Sequence, residues 1–130
     1  MIVIDASAVI ELLLNSSVGT RVADRIFIEG ESLHVPHVLD LEVAQVFRRY
    51  VLAKELTAER AVQALDDFSD LPLYRYAHSD FMPRIWELRA SLTAYDAAYV
   101  SLAEALDSTL LTCDMKLRNS HGHNARIELA

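Results

Sequence analysis

The sequence predicts an α/β domain with a central, mainly parallel sheet of about five short strands and helices on both faces. Three observations carry this. The runs IVI at 2–4 and LL at 110–111 do not alternate with polar residues, which marks strands buried on both faces. Amphipathic stretches long enough to cross over between parallel strands separate these runs. The third observation is size: 130 residues, 52% hydrophobic and 24% charged, suit one domain (1–130) with a core of its own.

In chain order, Ile2–Ile4 reads as a first buried strand ending at Asp5. Residues 6–15 (ASAVIELLLN) have helical composition, and 17–29 continue as a second helix stopped by Gly30. Residues 33–35 form a second strand closed by Pro36. A helix follows over 37–55, with Leu39, Val43, Val46 and Tyr50 on one stripe. Thr57 is suited to cap a helix reaching Asp70, which Pro72 keeps from continuing.

Leu73–Tyr76 is a third strand, and Ser79 caps a helix holding Ile85, Trp86 and Leu88, with Pro83 in or near its first turn. Another helix is expected over 93–106. Thr109–Thr112 then forms a strand leading to Asp114, and a short helix over 115–119 and a last strand over 126–129 end the chain.

Composition excludes several classes. Three glycines, three prolines and one cysteine rule out collagen-like, linker-like and disulfide-stapled proteins. A net charge of −7 argues against loose, charge-driven binding to nucleic acid. It does not exclude a nuclease whose acids sit in one metal site. The apolar start MIVIDASAVIELLLN lacks a basic leader and is broken by Asp5 and Glu11, and no uncharged apolar run reaches membrane-spanning length. A cytoplasmic, soluble protein with no membrane association is expected.

In open parallel sheets ligands bind beyond the carboxyl ends of the strands. Asp5, after IVI, and Asp114, after TLLTC, stand at such ends. Either acid alone also fits an N-cap. Two together can share a crevice and attract a divalent cation. Asp96 lies in LTAYDAAYVSLAEAL, where Thr93-x-x-Asp96 also fits a capping box. In HVLDLEVAQVFRRY, Glu42 falls at one edge of the apolar stripe and Asp40 at the other, so periodicity leaves the two open.

The blocks VIDASA, LEVAQVFRR, LTAYDAAYVSLAEAL and LLTCDMKL resemble, in order and spacing, the four acidic blocks of PIN-domain nucleases of the VapC type. The likeness spans essentially the whole chain, including PRIWELR and HGHNARIEL. It implies a PIN-like three-layer fold and a metal-dependent endoribonuclease cleaving RNA. It also implies a toxin held by a cognate VapB-like antitoxin, and a homodimer.

Carried over, the family's acids fall on Asp5, Glu42, Asp96 and Asp114. The resemblance thereby chooses Glu42 over Asp40 and turns Asp96 toward a metal. Ser7 and Thr112 match positions where a hydroxyl supports the site. Lys116 stands where some relatives carry a further acid, which bears on a second metal.

The expected chemistry is phosphodiester hydrolysis with Mg²⁺ or Mn²⁺, because hard oxygen ligands suit these ions better than zinc. Asp5, Asp96 and Asp114 are expected to bind metal directly or through water, with Glu42 binding metal or orienting the attacking water. His121-x-His123 flanks Gly122 in a polar turn and lacks a third ligand, and Cys113 reads as a small core residue. Arg21, Arg25, Arg48, Arg49, Arg84, Arg89 and Arg118 are the arginines available to RNA, with Arg84 and Arg89 expected nearest the site.

Two rival functions remain at this level. A receiver-like Mg²⁺-binding signalling module has the right size, but Asp5 is followed by Ala6, Ser7 and Ala8, so the acid pair of such modules is missing. A PIN-like fold that binds RNA without cutting it would keep its acids only as caps.

Overall fold

The structure, a computed structural model, describes residues 1–130. Its elements are β1 (Ile2–Ile4), α1 (Ala6–Leu13), α2 (Ser17–Ile26), β2 (Leu33–Pro36), α3 (Val38–Leu52), α4 (Ala58–Asp70) and β3 (Leu73–Tyr76). A 3-10 turn at His78–Phe81 leads to α5 (Met82–Glu87), α6 (Ala94–Ala105), β4 (Thr109–Thr112), α7 (Met115–Arg118) and β5 (Ile127–Leu129).

All five strands pair in parallel, in the order β3-β2-β1-β4-β5. β1 and β2 are buried along their whole length, as the unalternating IVI run requires. The chain steps outward from β1 to β2 and β3, then returns to β4 on the other side of β1. Right-handed crossovers therefore put α1 to α4 on one face and α5 and α6 on the other. Accordingly α1 packs on α2, α3 and α4, while α6 packs on β1, β2 and β4 with α5 against it. This is the expected α/β architecture.

Local signals set most boundaries. Thr57 and Thr93 cap α4 and α6, each accepting a backbone N–H three residues on at 3.1 Å. Ser16, not singled out in the sequence, caps α2 by accepting from Gly19 N at 2.9 Å. That helix ends at Ile26 rather than 29, and Gly30 serves the following turn with φ +83°. Gly19 itself is required by packing, because a Cβ there would stand 2.0 Å from the Glu11 carbonyl oxygen of α1.

Several expectations are corrected by tertiary packing. β2 ends at Pro36 as expected but includes it as its last residue, opposite Tyr76 of the edge strand. The buried stripe of α3 is Leu39, Val43 and Phe47, with Val46 and Tyr50 only partly covered at its flanks. Ser79 lies inside the 3-10 turn and caps nothing, so α5 starts without a side-chain cap and with Pro83 in its first turn. Trp86 is 66% exposed and outside the core, although Ile85 and Leu88 are buried. No helix is long and apolar enough to cross a membrane.

Candidate active site at the carboxyl end of the sheet

β1 lies where the strand order reverses, with β2 on one side and β4 on the other. A crevice beyond the carboxyl ends of such strands is the usual ligand site of open parallel sheets. Asp5 follows β1 there, and Asp114 follows β4 after one intervening residue. The two strands are locked in register, Ile4 opposite Leu111, and Asp5 N donates to Leu111 O at 3.2 Å.

Asp5 is buried and held by three donors. Ser7 Oγ donates to Oδ1 at 2.6 Å, Ala8 N to the same oxygen at 3.1 Å, and Thr112 Oγ1 to Oδ2 at 2.5 Å. The same hydroxyls accept from β4's continuation: Cys113 N donates to Ser7 Oγ at 2.9 Å, and Asp114 N to Thr112 Oγ1 at 3.0 Å. Ser7 and Thr112 thus fill the supporting positions the resemblance implies. Asp5 is both an N-cap and the centre of a knot tying β1 to β4. Burial nevertheless pushes its pKa up, the three hydrogen bonds pull it down, and the charge of Asp96 adds a further upward push.

Asp96 stands in the first turn of α6. The expected capping box is only half made: Asp96 N donates to Thr93 Oγ1, and the return bond from the Thr93 N–H to the Asp96 carboxylate is absent. Burial and then the charge of Asp114 raise the Asp96 pKa, against a lowering by hydrogen bonding from Thr93. Asp114 caps α7, accepting from Lys116 N at 2.8 Å on Oδ1 and leaving Oδ2 without a partner.

Glu42 and Asp40, left open by periodicity, part company in the structure. Asp40 is gripped by the Arg75 guanidinium of β3, with Nη2–Oδ1 at 2.9 Å and Nε–Oδ2 at 3.0 Å. Glu42 instead accepts from the hydroxyl of Tyr99 at 2.7 Å on Oε1, with Oε2 unbonded. Its pKa is raised by burial first, lowered by Tyr99, and raised again by the charges of Asp96 and Asp5.

Asp96 is therefore the common electrostatic neighbour of the other three acids: its charge acts on Asp5 and Glu42, and Asp114's acts on it. The donor chemistry fits a hard divalent cation, since acidic oxygens remain free of hydrogen bonds and no cationic side chain neutralises them. As the side chains stand, no three His, Cys, Asp or Glu groups converge on one point tightly enough to hold an ion.

Tyr99 is the site residue that sequence reasoning missed. It is 1% exposed, and burial together with Glu42's charge raises its pKa, so it stays protonated and donates. Its spacing of three residues from Asp96 on one helix was the available signal.

Other expectations are settled nearby. Arg84 is paired with Glu104 at 3.1 Å and Glu87 at 3.0 Å, so its guanidinium already has counter-charges. Arg89 lies 4.7 Å over the Trp86 ring and donates to the Trp86 carbonyl at 2.9 Å. His123 uses both ring nitrogens structurally, with Ser120 Oγ at 2.8 Å and Ala125 N at 3.2 Å. Burial pushes the Cys113 thiol up to about 11, which keeps it a thiol, as expected of a residue that is not a nucleophile.

Comparisons with known proteins bear on the family and the fold. The family profile described as PIN domain matches residues 2–120. Ribonuclease VapC12 of Mycobacterium tuberculosis is 42% identical over 129 residues, covering 99% of this chain and 98% of its own. Ribonuclease VapC9 of the same species is 43% identical over 120 residues, covering 92% and 91%. Among solved structures, PAE2754 from Pyrobaculum aerophilum matches with a TM-score of 0.70 at 20% identity, over 97% of this chain and 81% of that one.

VapBC2 from Rickettsia felis, solved bound to a DNA fragment from its promoter, matches with a TM-score of 0.68 at 17% identity, over 99% and 98%. These two structural likenesses speak for the fold. With a family profile over residues 2–120 and 42% identity to a VapC ribonuclease along nearly its whole length, the chain belongs to the PIN-domain family, alongside the VapC ribonucleases.

Proposed function

We propose that the protein is an endoribonuclease that hydrolyses RNA phosphodiester bonds at the Asp5, Glu42, Asp96 and Asp114 crevice, and that it serves as the toxin of a pair with a VapB-like antitoxin. The observation that carries the chemistry is the placement of four acids at one end of the sheet, Asp5 held by Ser7, Ala8 and Thr112 and Glu42 by Tyr99, with Asp96 within charge range of the other three. Such a group stays costly until a cation joins it. The ribonuclease names of relatives at 42–43% identity support the substrate class, and the VapBC2 neighbour supports the partner.

Asp5, Asp96 and Asp114 would hold Mg²⁺ or Mn²⁺ directly or through water, with Glu42 beside them. When bound, the ion supplies charge neutralisation on the phosphate and lowers the pKa of a coordinated water. The chain's own groups do the rest. Tyr99 fixes Glu42 Oε1 and leaves Oε2 without a partner, free to orient the attacking water and take its proton. Ser7 and Thr112 hold both Asp5 oxygens in place, and this preorganisation keeps the carboxylate aimed at the crevice against the repulsion of its neighbours.

The strand order speaks against the receiver-like alternative. Receiver-type domains run 2-1-3-4-5, whereas β1 here lies between β2 and β4. Against a binding-only PIN-like domain, the acids do more than cap: Asp96 leaves its box half made, and Glu42 caps no helix.

The test is incubation of purified protein with total cellular RNA and Mg²⁺ or Mn²⁺, with EDTA as control, followed by mapping of the cut ends. Discrete metal-dependent cuts that vanish in Asp96→Asn are expected. Cuts that persist in both EDTA and the variant would remove the carboxylate assignment.

A further inference from the structure

A cavity of about 640 Å³ runs along the outer side of α3, beginning at the candidate site and leaving it. Glu42 and Tyr95 stand at one end, Arg48 and Arg49 at the other, and Val38 and Leu41 supply apolar floor. Residues 38, 41, 42, 45, 48 and 49 recur at spacings of three and four, so they form one stripe of the helix. Arg48 and Arg49 lie six and seven residues beyond Glu42, or ~9–10 Å along the axis. That is within reach of phosphates flanking a bond held at Glu42.

The arginines of this groove differ from most others in the molecule. Arg25, Arg75, Arg84 and Arg126 are in ion pairs, Arg60 is bound to the Leu13 carbonyl, and Arg89 lies on Trp86. Arg48 and Arg49 have no hydrogen-bonding or ionic partner, and Glu42 is the sole acid lining the groove. Two guanidiniums without counter-charge therefore open onto a path that ends at Glu42, the one site acid that lines it. Beside them Tyr95 is 60% exposed and Leu41 74%, so a ring face and apolar floor are open to solvent in the same groove.

We propose that this groove seats the single-stranded RNA next to the cleaved bond, Arg48 and Arg49 binding its phosphates and Tyr95 stacking on a base. The proposal rests on the endoribonuclease function above and adds where the strand lies. Guanidiniums that track a backbone beside an exposed aromatic ring are the means by which single strands are held with little regard to sequence. A duplex keeps its base faces stacked and offers none to Tyr95. With a whole-chain charge of −7, only a local cationic groove of this kind brings RNA to an acidic site.

The test uses fluorescein-labelled oligouridylate and fluorescence anisotropy in Mg²⁺, on an Asp96→Asn background that does not cut. The Arg48→Gln/Arg49→Gln pair should weaken binding about tenfold and reduce the slope of log Kd against log salt by about 1.4, at ~0.7 for each lost phosphate contact. Tyr95→Leu should also weaken binding roughly tenfold, with Tyr95→Phe restoring it. Arg21→Gln, an unpaired arginine of α2 outside the groove, should leave the slope alone.

In the cutting protein the arginine pair should raise KM far more than it lowers kcat. Unchanged affinity and salt slope in a double variant, while wild type still cuts RNA, overturn the groove and leave the nuclease standing. A sedimentation change with RNA affinity unchanged assigns the face to a second copy of the chain and also overturns it. A wild type that neither binds nor cuts RNA removes both proposals.

Discussion

The Tyr99 hydroxyl of α6 donates to Glu42 Oε1 of α3 at 2.7 Å, joining residues 57 positions apart. This bond lowers the Glu42 pKa against the upward push of burial and of the charges on Asp96 and Asp5. Tyr99→Phe removes it, so the Glu42 pKa rises further. The acid limb of the pH–rate profile should then move to higher pH, with kcat at neutral pH falling about tenfold. An unmoved profile would show that Glu42 neither orients the water nor takes its proton.

Asp5→Asn and Asp96→Asn should each abolish cleavage while far-UV circular dichroism stays that of wild type. Asn keeps the shape and, at position 5, an oxygen for the Ser7 and Ala8 donors. What it lacks is the charge that attracts an ion. Retention of activity by both variants would end the metal-site assignment.

Relief of repulsion can be read without substrate. Asp5→Asn alters a side chain bound by three donors, so gain and loss mix there. Asp96 accepts no backbone N–H and feels or supplies charge to all three other acids, which makes it the cleaner position. Asp96→Asn should raise the Tm of the metal-free protein by ~3 °C, corresponding to about 1 kcal/mol. Excess Mn²⁺ should raise the Tm of wild type and shift the variant much less. Wild-type melts identical in EDTA and Mn²⁺ would contradict the site.

The pH dependence has a defined sign. Asp5, Glu42 and Asp96 have folded pKa values above their ordinary 3.8, 4.5 and 3.8, so the folded protein holds protons that the unfolded chain has released. Their contribution favours folding fully below pH ~4 and is lost as pH rises through the raised folded values. Glu31, held low by the N-terminal ammonium and Arg25, contributes oppositely, stabilising above its ordinary 4.5 and less in acid. The stability difference between metal-free wild type and Asp96→Asn isolates the first effect. It should grow from pH 4 to neutrality in urea titrations, and a difference independent of pH would count against it.

Gly19→Ala tests the fold rather than the site. Its Cβ would meet the Glu11 carbonyl oxygen at 2.0 Å, and that carbonyl belongs to α1 and cannot swing away. A loss of about 2 kcal/mol is expected, seen as a Tm several degrees lower.

Local signals carried much of this protein. Unalternating IVI specifies a strand buried on both faces, and Thr57 and Thr93 specify helix starts, because both depend on neighbours a few residues away. The four acidic blocks were likewise legible in order and spacing. Choices between distant partners were not. Asp40 and Glu42 lie at equivalent edges of one helix, so periodicity left them open and only the resemblance chose between them; the physical reason, Arg75 pairing with Asp40 and Tyr99 bonding Glu42, lies in the tertiary structure. Arg84 looked available until Glu104, twenty residues on, came within 3.1 Å.

Trp86 shares a helix with buried Ile85, yet α6 covers only the other side of that helix. Periodicity ranks residues by angle on their own element. Hydrogen bonds and burial depend on ångström-scale approach between elements, and that approach is set by how the strands order and the helices cross.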